Sequence, residues 1–301
     1  MSKKNKNKLV SDFWGNQFIK MRNDSGYWQN NALVLDHTYH LMTGTSTHWL
    51  PWMLNEFFKE LRSFDRALSI CCGDGPHELT MLQSGKVGFL HAFDISEGAL
   101  RQAKARFEEA GIPEDRYKLE LLDVNQFKIS GSYDLIVSAG AAHHIEALEL
   151  VFSRIASLIS PDEYFALLEY IGPNRFQWTD RQINLINDII AALAKEYLFE
   201  KRKPTFVRPS IESMLKLDPS EAVRSEDIIP LVDEYFSTVY RHDYNGTLMH
   251  QLYPFLNHAL ANRSRPDFES ILRLILTFEN FAIKTGSLNP DFTFIICQAR
   301  R

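Results

Sequence analysis

The stretch Leu68-Ser-Ile-Cys-Cys-Gly-Asp-Gly-Pro76 decides the fold class of this 301-residue chain. A short apolar run leads into a glycine-rich turn, and Pro76 suits the first turn of a helix. A strand, a glycine turn and a helix in this order bind anionic or polar groups through backbone N–H groups and the helix dipole. The pattern alone is common, so the ligand must be inferred from the residues that follow.

Further β-rich segments follow, separated by amphipathic helical stripes. The predicted strands are Ala67–Cys71, Val87–Phe93, Tyr117–Leu122, Tyr133–Ser138, Tyr164–Leu168, Tyr235–Tyr240 and Asp291–Gln298. The first five alternate with helices, which predicts a parallel sheet with helices on both faces. Right-handed crossovers place the carboxyl ends of these strands at one edge. Asp94, Asp123, His143, His144 and Glu169 all follow strand ends and are therefore expected to meet there.

The composition is that of a globular protein outside the classes rich in positive charge or disulfides. The formal net charge is −5 and the pI about 6.1, which argues against nucleic-acid binding. Three cysteines indicate a reducing compartment, so we expect a cytoplasmic protein. We expect no membrane insertion, because no apolar run reaches the ~18–20 residues of a membrane span. The lysine-rich segment Met1–Val10 is interpreted as a frayed tail rather than a secretory signal.

The two ends of the chain are predicted to be helical additions. Residues 1–62 are aromatic-rich and predict a helical lid, with loops near Asn23–Gly26 and Thr43–Thr47 and a helix over Trp49–Leu61. Residues 63–301 then form the main domain, with helical insertions at about 174–230 and 246–286. A long helix is predicted over Asp180–Phe199.

Two acidic residues indicate a nucleoside cofactor. Asp94 lies 19 positions after Gly75, a spacing typical of ribose-binding carboxylates. Asp123 can accept a hydrogen bond from an adenine amino group. The third glycine of a dinucleotide fingerprint is replaced by Glu78, whose carboxylate would repel a pyrophosphate.

These residues resemble the class I S-adenosylmethionine-dependent methyltransferases. The resemblance rests on Leu68–Gly75, Phe93-Asp-Ile-Ser96, Leu122-Asp-Val124 and Ser132–Ile145, and covers residues 67 to about 170. It implies a Rossmann-like, seven-stranded, mostly parallel sheet with an antiparallel last strand, and S-adenosylmethionine as cofactor. The stretch Glu169–Trp178 is similar to bacterial members that modify small molecules or glycans.

The resemblance assigns a set of cofactor-binding candidates. They are Cys71, Gly73, Asp74, Gly75, Glu78, Asp94, Ile95, Asp123, Val124 and Ala139. Two positions depart from the family pattern: Cys71 replaces the first glycine of the turn, and Ser69 replaces an acidic residue. We hypothesise that Glu78 supplies the missing charge near the cofactor's amino group.

Catalytic candidates follow the fourth and fifth strands. Methyl transfer needs an in-line approach, and a base helps when the acceptor is a hydroxyl. His143 and His144 have a side chain that takes a proton near neutral pH, although at most one is expected to be catalytic and a structural pair is the alternative. Four roles are open for Glu169: a base, a partner that orients a histidine, an acceptor for a substrate hydroxyl, or a cap of the next turn.

Aromatic and basic side chains outside the motifs are the substrate-binding candidates. They are Tyr27, Trp28, His37, His40, Tyr170, Arg175 and Trp178. The competing interpretation is that the aromatic residues are core and Arg175 forms a surface ion pair. No metal is expected, because Cys71 and Cys72 lack partners with zinc spacing.

The sequence therefore predicts a methyltransferase acting on a small molecule such as a natural product or sugar, with O-methylation favoured. A cofactor-binding enzyme of another reaction type, a non-catalytic scaffold and a nicotinamide dehydrogenase remain alternatives. The oligomeric state is left open.

Overall fold

A seven-stranded sheet forms the centre of the protein in the computed structural model, which describes residues 3–60, 63–159, 162–200, 204–261 and 265–300. The strands are β1 (Phe64–Ile70), β2 (Val87–Asp94), β3 (Tyr117–Leu121), β4 (Leu135–Ala139), β5 (Tyr164–Tyr170), β6 (Phe236–Tyr244) and β7 (Phe292–Ala299). All seven predicted strands are present. The helices are α1 (Lys3–Asn23), α2 (Ala32–Thr43), α3 (Trp49–Trp52), α4 (Pro76–Gln83), α5 (Glu97–Glu109), α6 (Leu148–Leu158), α7 (Asp180–Ala192), α8 (Ile211–Leu217), α9 (Ile228–Tyr235), α10 (Met249–Leu252), α11 (His258–Ala261) and α12 (Pro266–Lys284).

The strand order is β3-β2-β1-β4-β5-β7-β6. Strands β1 to β5 pair in parallel, whereas β7 runs antiparallel to both of its neighbours. This confirms the predicted Rossmann-like fold with an antiparallel last strand. The order reverses between β1 and β4, and such a switch point opens a crevice at the carboxyl ends of the strands.

Both faces of the sheet are covered, which explains why the inner strands β1, β2, β4, β5 and β7 are mostly buried. Ala67 faces a core that includes Met81 of α4 and Phe107 of α5. The next residue, Leu68, faces the opposite core with Val151 of α6 and Val232 of α9. Because helices cover both faces, a ligand can approach the sheet at the edge formed by the carboxyl ends of the strands.

The additions after β5 are helical and form a third core. This core joins α2, α7 and the α10–α12 region through Val34, Ile186, Leu252 and Phe268. The predicted helix over Asp180–Phe199 is too long, because α7 ends at Ala192. The following chain turns away, and Leu198 forms a β-bridge with Leu256.

The prediction of a frayed N-terminal tail is wrong for the described residues, because the segment from Lys3 belongs to the long helix α1. This helix packs on α5, where Ser96 Oγ donates to Ser11 O at 2.9 Å and Gln102 Nε2 donates to Gly15 O at 2.7 Å. Tertiary packing thus stabilises a helix that its polar composition does not predict. Met1 and Ser2 lie outside the described residues.

The predicted loops after Asn23 and Thr43 are present, since α1 and α2 end there. The helix predicted over Trp49–Leu61 is instead α3 followed by a π-helical turn over Met53–Phe57, and Leu61 lies outside the described residues. Within the described parts of the chain, no helix combines the length and apolarity needed to cross a membrane.

Candidate active site

The turn after β1 takes the backbone form of a ligand-binding glycine loop. Cys71, Gly73 and Gly75 have φ values of 53°, 57° and 78°. Cys71 therefore holds a left-handed conformation at the position where the family has glycine, which costs about 1–2 kcal/mol. Cysteine at position 71 therefore strains the turn. The turn nevertheless stays closed, because Cys72 N donates to Phe93 O at 3.0 Å.

Asp94 ties this turn to the end of β2. Its carboxylate accepts hydrogen bonds from Gly73 N at 3.0 Å and Ser96 N at 2.8 Å. Burial raises the pKa of Asp94, and these backbone hydrogen bonds oppose the rise. A carboxylate has roughly four acceptor sites, so Asp94 keeps acceptor capacity for a ribose hydroxyl.

Glu78 is a buried carboxyl group beside the same turn. It bonds to Ser69 Oγ through Oε1, whereas its Oε2 is buried with no hydrogen-bond partner among the described residues. Burial raises the pKa of Glu78 to about 7, against the hydrogen bond from Ser69. A cationic amino group is the partner such an oxygen lacks. Together, Asp94 and Glu78 fit a ligand with ribose hydroxyls and an amino group, as in S-adenosylmethionine.

We expect Glu78→Gln to weaken binding of S-adenosylhomocysteine by roughly 10–100-fold at pH 8, because a charged hydrogen bond contributes about 1.5–3 kcal/mol. A bound ammonium group favours ionised Glu78, so wild-type affinity should rise between pH 6 and 8 as the free carboxyl, with a pKa of about 7, loses its proton. The variant should lose this rise. Calorimetric titrations at several pH values measure both effects, with exposed Glu108→Gln as control. Unchanged affinity in Glu78→Gln would contradict the assignment.

The side chains of the remaining cofactor candidates differ in what they contact. Asp123 accepts from Asn125 N at 2.9 Å, Val124 is buried beside it, and Ile95 is half-buried. The carboxylate of Asp74 instead accepts from Arg106 Nη2 on α5 at 2.7 Å and helps hold the loop.

Helix α1 covers the cofactor side of the edge. The Phe18 ring lies against Gly73, so a Cβ there would come within 2.5 Å of the ring. Asn7 Nδ2 donates to Asp123 Oδ2 at 2.9 Å. The glycine at 73 is therefore needed for the close approach of α1, and α1 has the position of a lid.

A hydrogen-bonded pair follows β4 and β5. Glu169 Oε1 accepts from the backbone N–H groups of Ala141 and Ala142, at 2.7 and 2.6 Å, and its Oε2 lies 2.7 Å from His143 Nδ1. His143 Nε2 faces Glu221 Oε1 at 3.4 Å. Burial lowers the pKa of His143, but the hydrogen bonds to Glu169 and Glu221 outweigh it and raise the pKa to about 10. His143 is thus an imidazolium at neutral pH and a positioning group rather than a base.

His144 has the opposite character. Burial and then the charge of His143 lower its pKa, so the ring is neutral near pH 7. Ser220 Oγ donates to Asp218 Oδ1 at 2.6 Å, so it accepts from His144 Nδ1 at 3.1 Å. This arrangement leaves His144 Nε2 as a proton acceptor. Of the two histidines, His144 has the properties of a general base.

A cavity of about 630 Å³ adjoins these groups. Its wall includes His143, His144 and Glu169, together with Ala139 and Gly140 at the end of β4. Three substrate-binding candidates also line it, namely Tyr27, Trp28 and Tyr170.

The other substrate-binding candidates lie elsewhere. His37 and His40 line a separate hollow with Arg273. Arg175 donates from Nη1 to the carbonyls of Pro219 and Glu221, and Trp178 Nε1 donates to Asp291. These two residues shape the segments behind the cavity wall.

Sequence reasoning missed Asp218, Ser220, Glu221 and His250. The first three belong to the segment between α8 and α9, which Val223 N fixes by donating to His143 O at 2.9 Å. His250 lines the cavity from the α10 region. No local motif marks these residues, because long-range packing brings them to the site.

The structure also brings together three potential metal ligands, although the sequence suggested none. One ligand atom each from His143, His144 and Glu221 lies within 4.8 Å of the other two. Both ring nitrogens of His143 already face carboxylates.

The comparisons with known proteins agree with this geometry. A family model described as "Methyltransferase domain" matches residues 67–162. This stretch, which contains the glycine turn and the ends of strands β1 to β4, is thus similar to methyltransferase domains. An uncharacterized methyltransferase of Mycobacterium tuberculosis is 30% identical to the chain over 107 residues, which cover 36% of this chain and 51% of the relative. The chain thus spans about half the length of the curated relatives it matches.

Two solved structures share the fold of the methyltransferase domain and much of its surroundings. A phosphoethanolamine N-methyltransferase of Haemonchus contortus, crystallised with S-adenosylmethionine, is 12% identical with a TM-score of 0.52, covering 91% of this chain and 58% of that chain. A putative sarcosine dimethylglycine methyltransferase of Galdieria sulphuraria is 14% identical with a TM-score of 0.51, covering 85% and 86%. At such identities the likeness shows the fold alone.

Proposed function

We propose that the protein is an S-adenosylmethionine-dependent methyltransferase that methylates a hydroxyl group of a small-molecule acceptor. The observation that carries the proposal is the cavity. It joins Ala139 and Gly140, at the switch-point edge of the methyltransferase domain, to a neutral histidine at His144. Ligands of doubly wound sheets bind at that edge. The helical additions at 1–62, 174–230 and 246–286 supply the rest of the acceptor pocket.

The cofactor supplies a methyl group activated on a sulfonium centre. Asp94 would hold the ribose hydroxyls and Glu78 the amino group, while Asp123 and Val124 would lie on the adenine side. Bound there, the cofactor would supply this methyl group to the acceptor oxygen and would leave as S-adenosylhomocysteine. The proton of the acceptor passes to His144 Nε2.

The remaining polar groups hold this base in place. Asp218 and Ser220 fix the tautomer of His144. Glu169 anchors the imidazolium of His143, whose charge keeps the pKa of His144 low. Aromatic cover from α1 and α2 excludes water from the cavity.

Calorimetric titration with S-adenosylhomocysteine tests the cofactor half of the proposal, with NADH as a separate control. We expect saturable binding of the former alone. Mass spectrometry of hydroxylated acceptors incubated with the protein and S-adenosylmethionine then tests transfer, with an expected gain of one methyl group. Binding without transfer to any acceptor would favour another reaction type, and no binding of either ligand would favour a scaffold.

A further inference from the structure

We infer that the acceptor carries a positively charged amine in addition to its reacting hydroxyl, and that it carries no phosphate or carboxylate. The inference rests on the proposed function, because it concerns the acceptor of that same cavity. Two independent features support it, namely the charge of the cavity wall and the arrangement of its aromatic rings.

The charge of the wall is the first feature. Four carboxyl side chains line the cavity, from Asp24, Glu169, Asp218 and Glu221, whereas the described lining residues include no lysine and no arginine. Phosphate and carboxylate groups are commonly bound by arginine and lysine, and this wall offers neither. The carboxyl groups of the wall would repel a phosphate or carboxylate of the acceptor, and this repulsion is strong at low dielectric.

Histidines of the wall do not reverse this balance. The pKa values of His48, His77 and His250 are all lowered to about 4, mainly by burial, and that of His144 is lowered as well. His143 is the charged histidine of the described wall, and it already faces Glu169 and Glu221. The cavity therefore keeps an excess of negative charge.

The aromatic rings are the second feature. Trp28, Phe176 and Phe292 surround the neutral ring of His250, with ring centroids 5.7–5.8 Å from it. Tyr170 contacts both phenylalanine rings, at 5.0 and 5.4 Å. Aromatic faces attract cations, by about 2 kcal/mol when the cation is desolvated.

Glu221 joins the two features. Its carboxylate lies on the same cavity wall as His250 and these rings. Burial raises the pKa of Glu221, but the hydrogen bond and the charge of the His143 imidazolium oppose this rise and favour the ionised carboxylate. We expect this carboxylate to pair with an ammonium group held among the rings, since both line the same cavity. The hydroxyl of the same molecule then lies toward His144.

Two matched ligand sets test this inference in the presence of saturating S-adenosylhomocysteine. The first is tyramine, 4-(2-hydroxyethyl)phenol and 4-hydroxyphenylacetate. The second is serotonin, 5-hydroxytryptophol and 5-hydroxyindole-3-acetate. Within each set the ring and its hydroxyl are constant and only the charge of the side chain changes. Calorimetry should show the ammonium member binding at least about tenfold more tightly than the neutral one, a difference of about 1.4 kcal/mol, and no binding of the carboxylate.

Glu221→Gln should remove most of the preference for the ammonium ligands. Glu212→Gln, which changes an exposed carboxylate on α8, should leave the preference intact. Four results would each overturn the inference. The first two are equal binding across a set and a preference for the carboxylate. The others are an unchanged preference in Glu221→Gln, and a protein that binds S-adenosylhomocysteine but no ammonium ligand. Failure to bind S-adenosylhomocysteine would instead contradict the proposed function.

Discussion

We expect His144→Gln to lower kcat for methyl transfer by about 10²–10⁴-fold, because this is the range that a positioned general base contributes. Affinity for S-adenosylhomocysteine should stay within about twofold, since the histidine lies on the acceptor side of the edge. Steady-state kinetics together with calorimetry separates the two effects. The exposed His242→Gln on β6 is a matched control that should retain full activity.

The pH profile gives a second measure of the same group. Burial and the charge of His143 lower the pKa of His144 below 6.5, and only the neutral ring accepts a proton. The rate should therefore be constant near pH 7 and fall as the pH drops through a midpoint below 6.5. A kcat that survives the substitution would remove His144 from the role of base.

Asp94→Ala should weaken binding of S-adenosylhomocysteine by roughly 10–150-fold. The physical reason is that the ribose hydroxyls lose a charged acceptor, which contributes about 1.5–3 kcal/mol. Calorimetric titration measures the change. Asp65→Ala, at the exposed beginning of β1, is the control and should bind as the wild type does.

Asp94 also accepts hydrogen bonds from Gly73 N and Ser96 N, so the variant must be shown to keep its fold. Thermal unfolding of the apo variant provides this check. A folded Asp94→Ala protein with unchanged affinity would mean that the cofactor is bound elsewhere on the edge.

The sheet could be predicted because its information is local. Most of the parallel strands contain a short apolar run bounded by turn residues, and Ser96 caps α5 by accepting a hydrogen bond from Ala99 N. The convergence of Asp94, His143 and Glu169 then follows from crossover handedness, without any knowledge of distant packing.

The acceptor side could not be predicted in the same way. Glu221 reaches His143 only because the segment between α8 and α9 is fixed from outside, by Arg175 on two of its carbonyls and by the backbone bond from Val223 to His143. None of these contacts has a periodic signature in the sequence.

Helix α1 illustrates the same limit. Its lysine-rich beginning indicates a solvated tail, whereas contacts with α5 and Asp123 make it part of the structure. The aromatic residues Trp14 and Phe18 were the available signal, since positions four apart lie on one helical face.

The position of α1 has a consequence for the order of events in a catalytic cycle. Phe18 rests on Gly73, and hydrogen bonds from Asn7, Ser96 and Gln102 hold the helix over the turn. A cofactor bound at this turn, as we propose, would have to displace these contacts before a fresh molecule could enter. The residence time of bound S-adenosylhomocysteine, rather than the transfer step, would then limit repeated turnover. Such an enzyme releases its first equivalent of methylated product in a burst and accumulates bound S-adenosylhomocysteine.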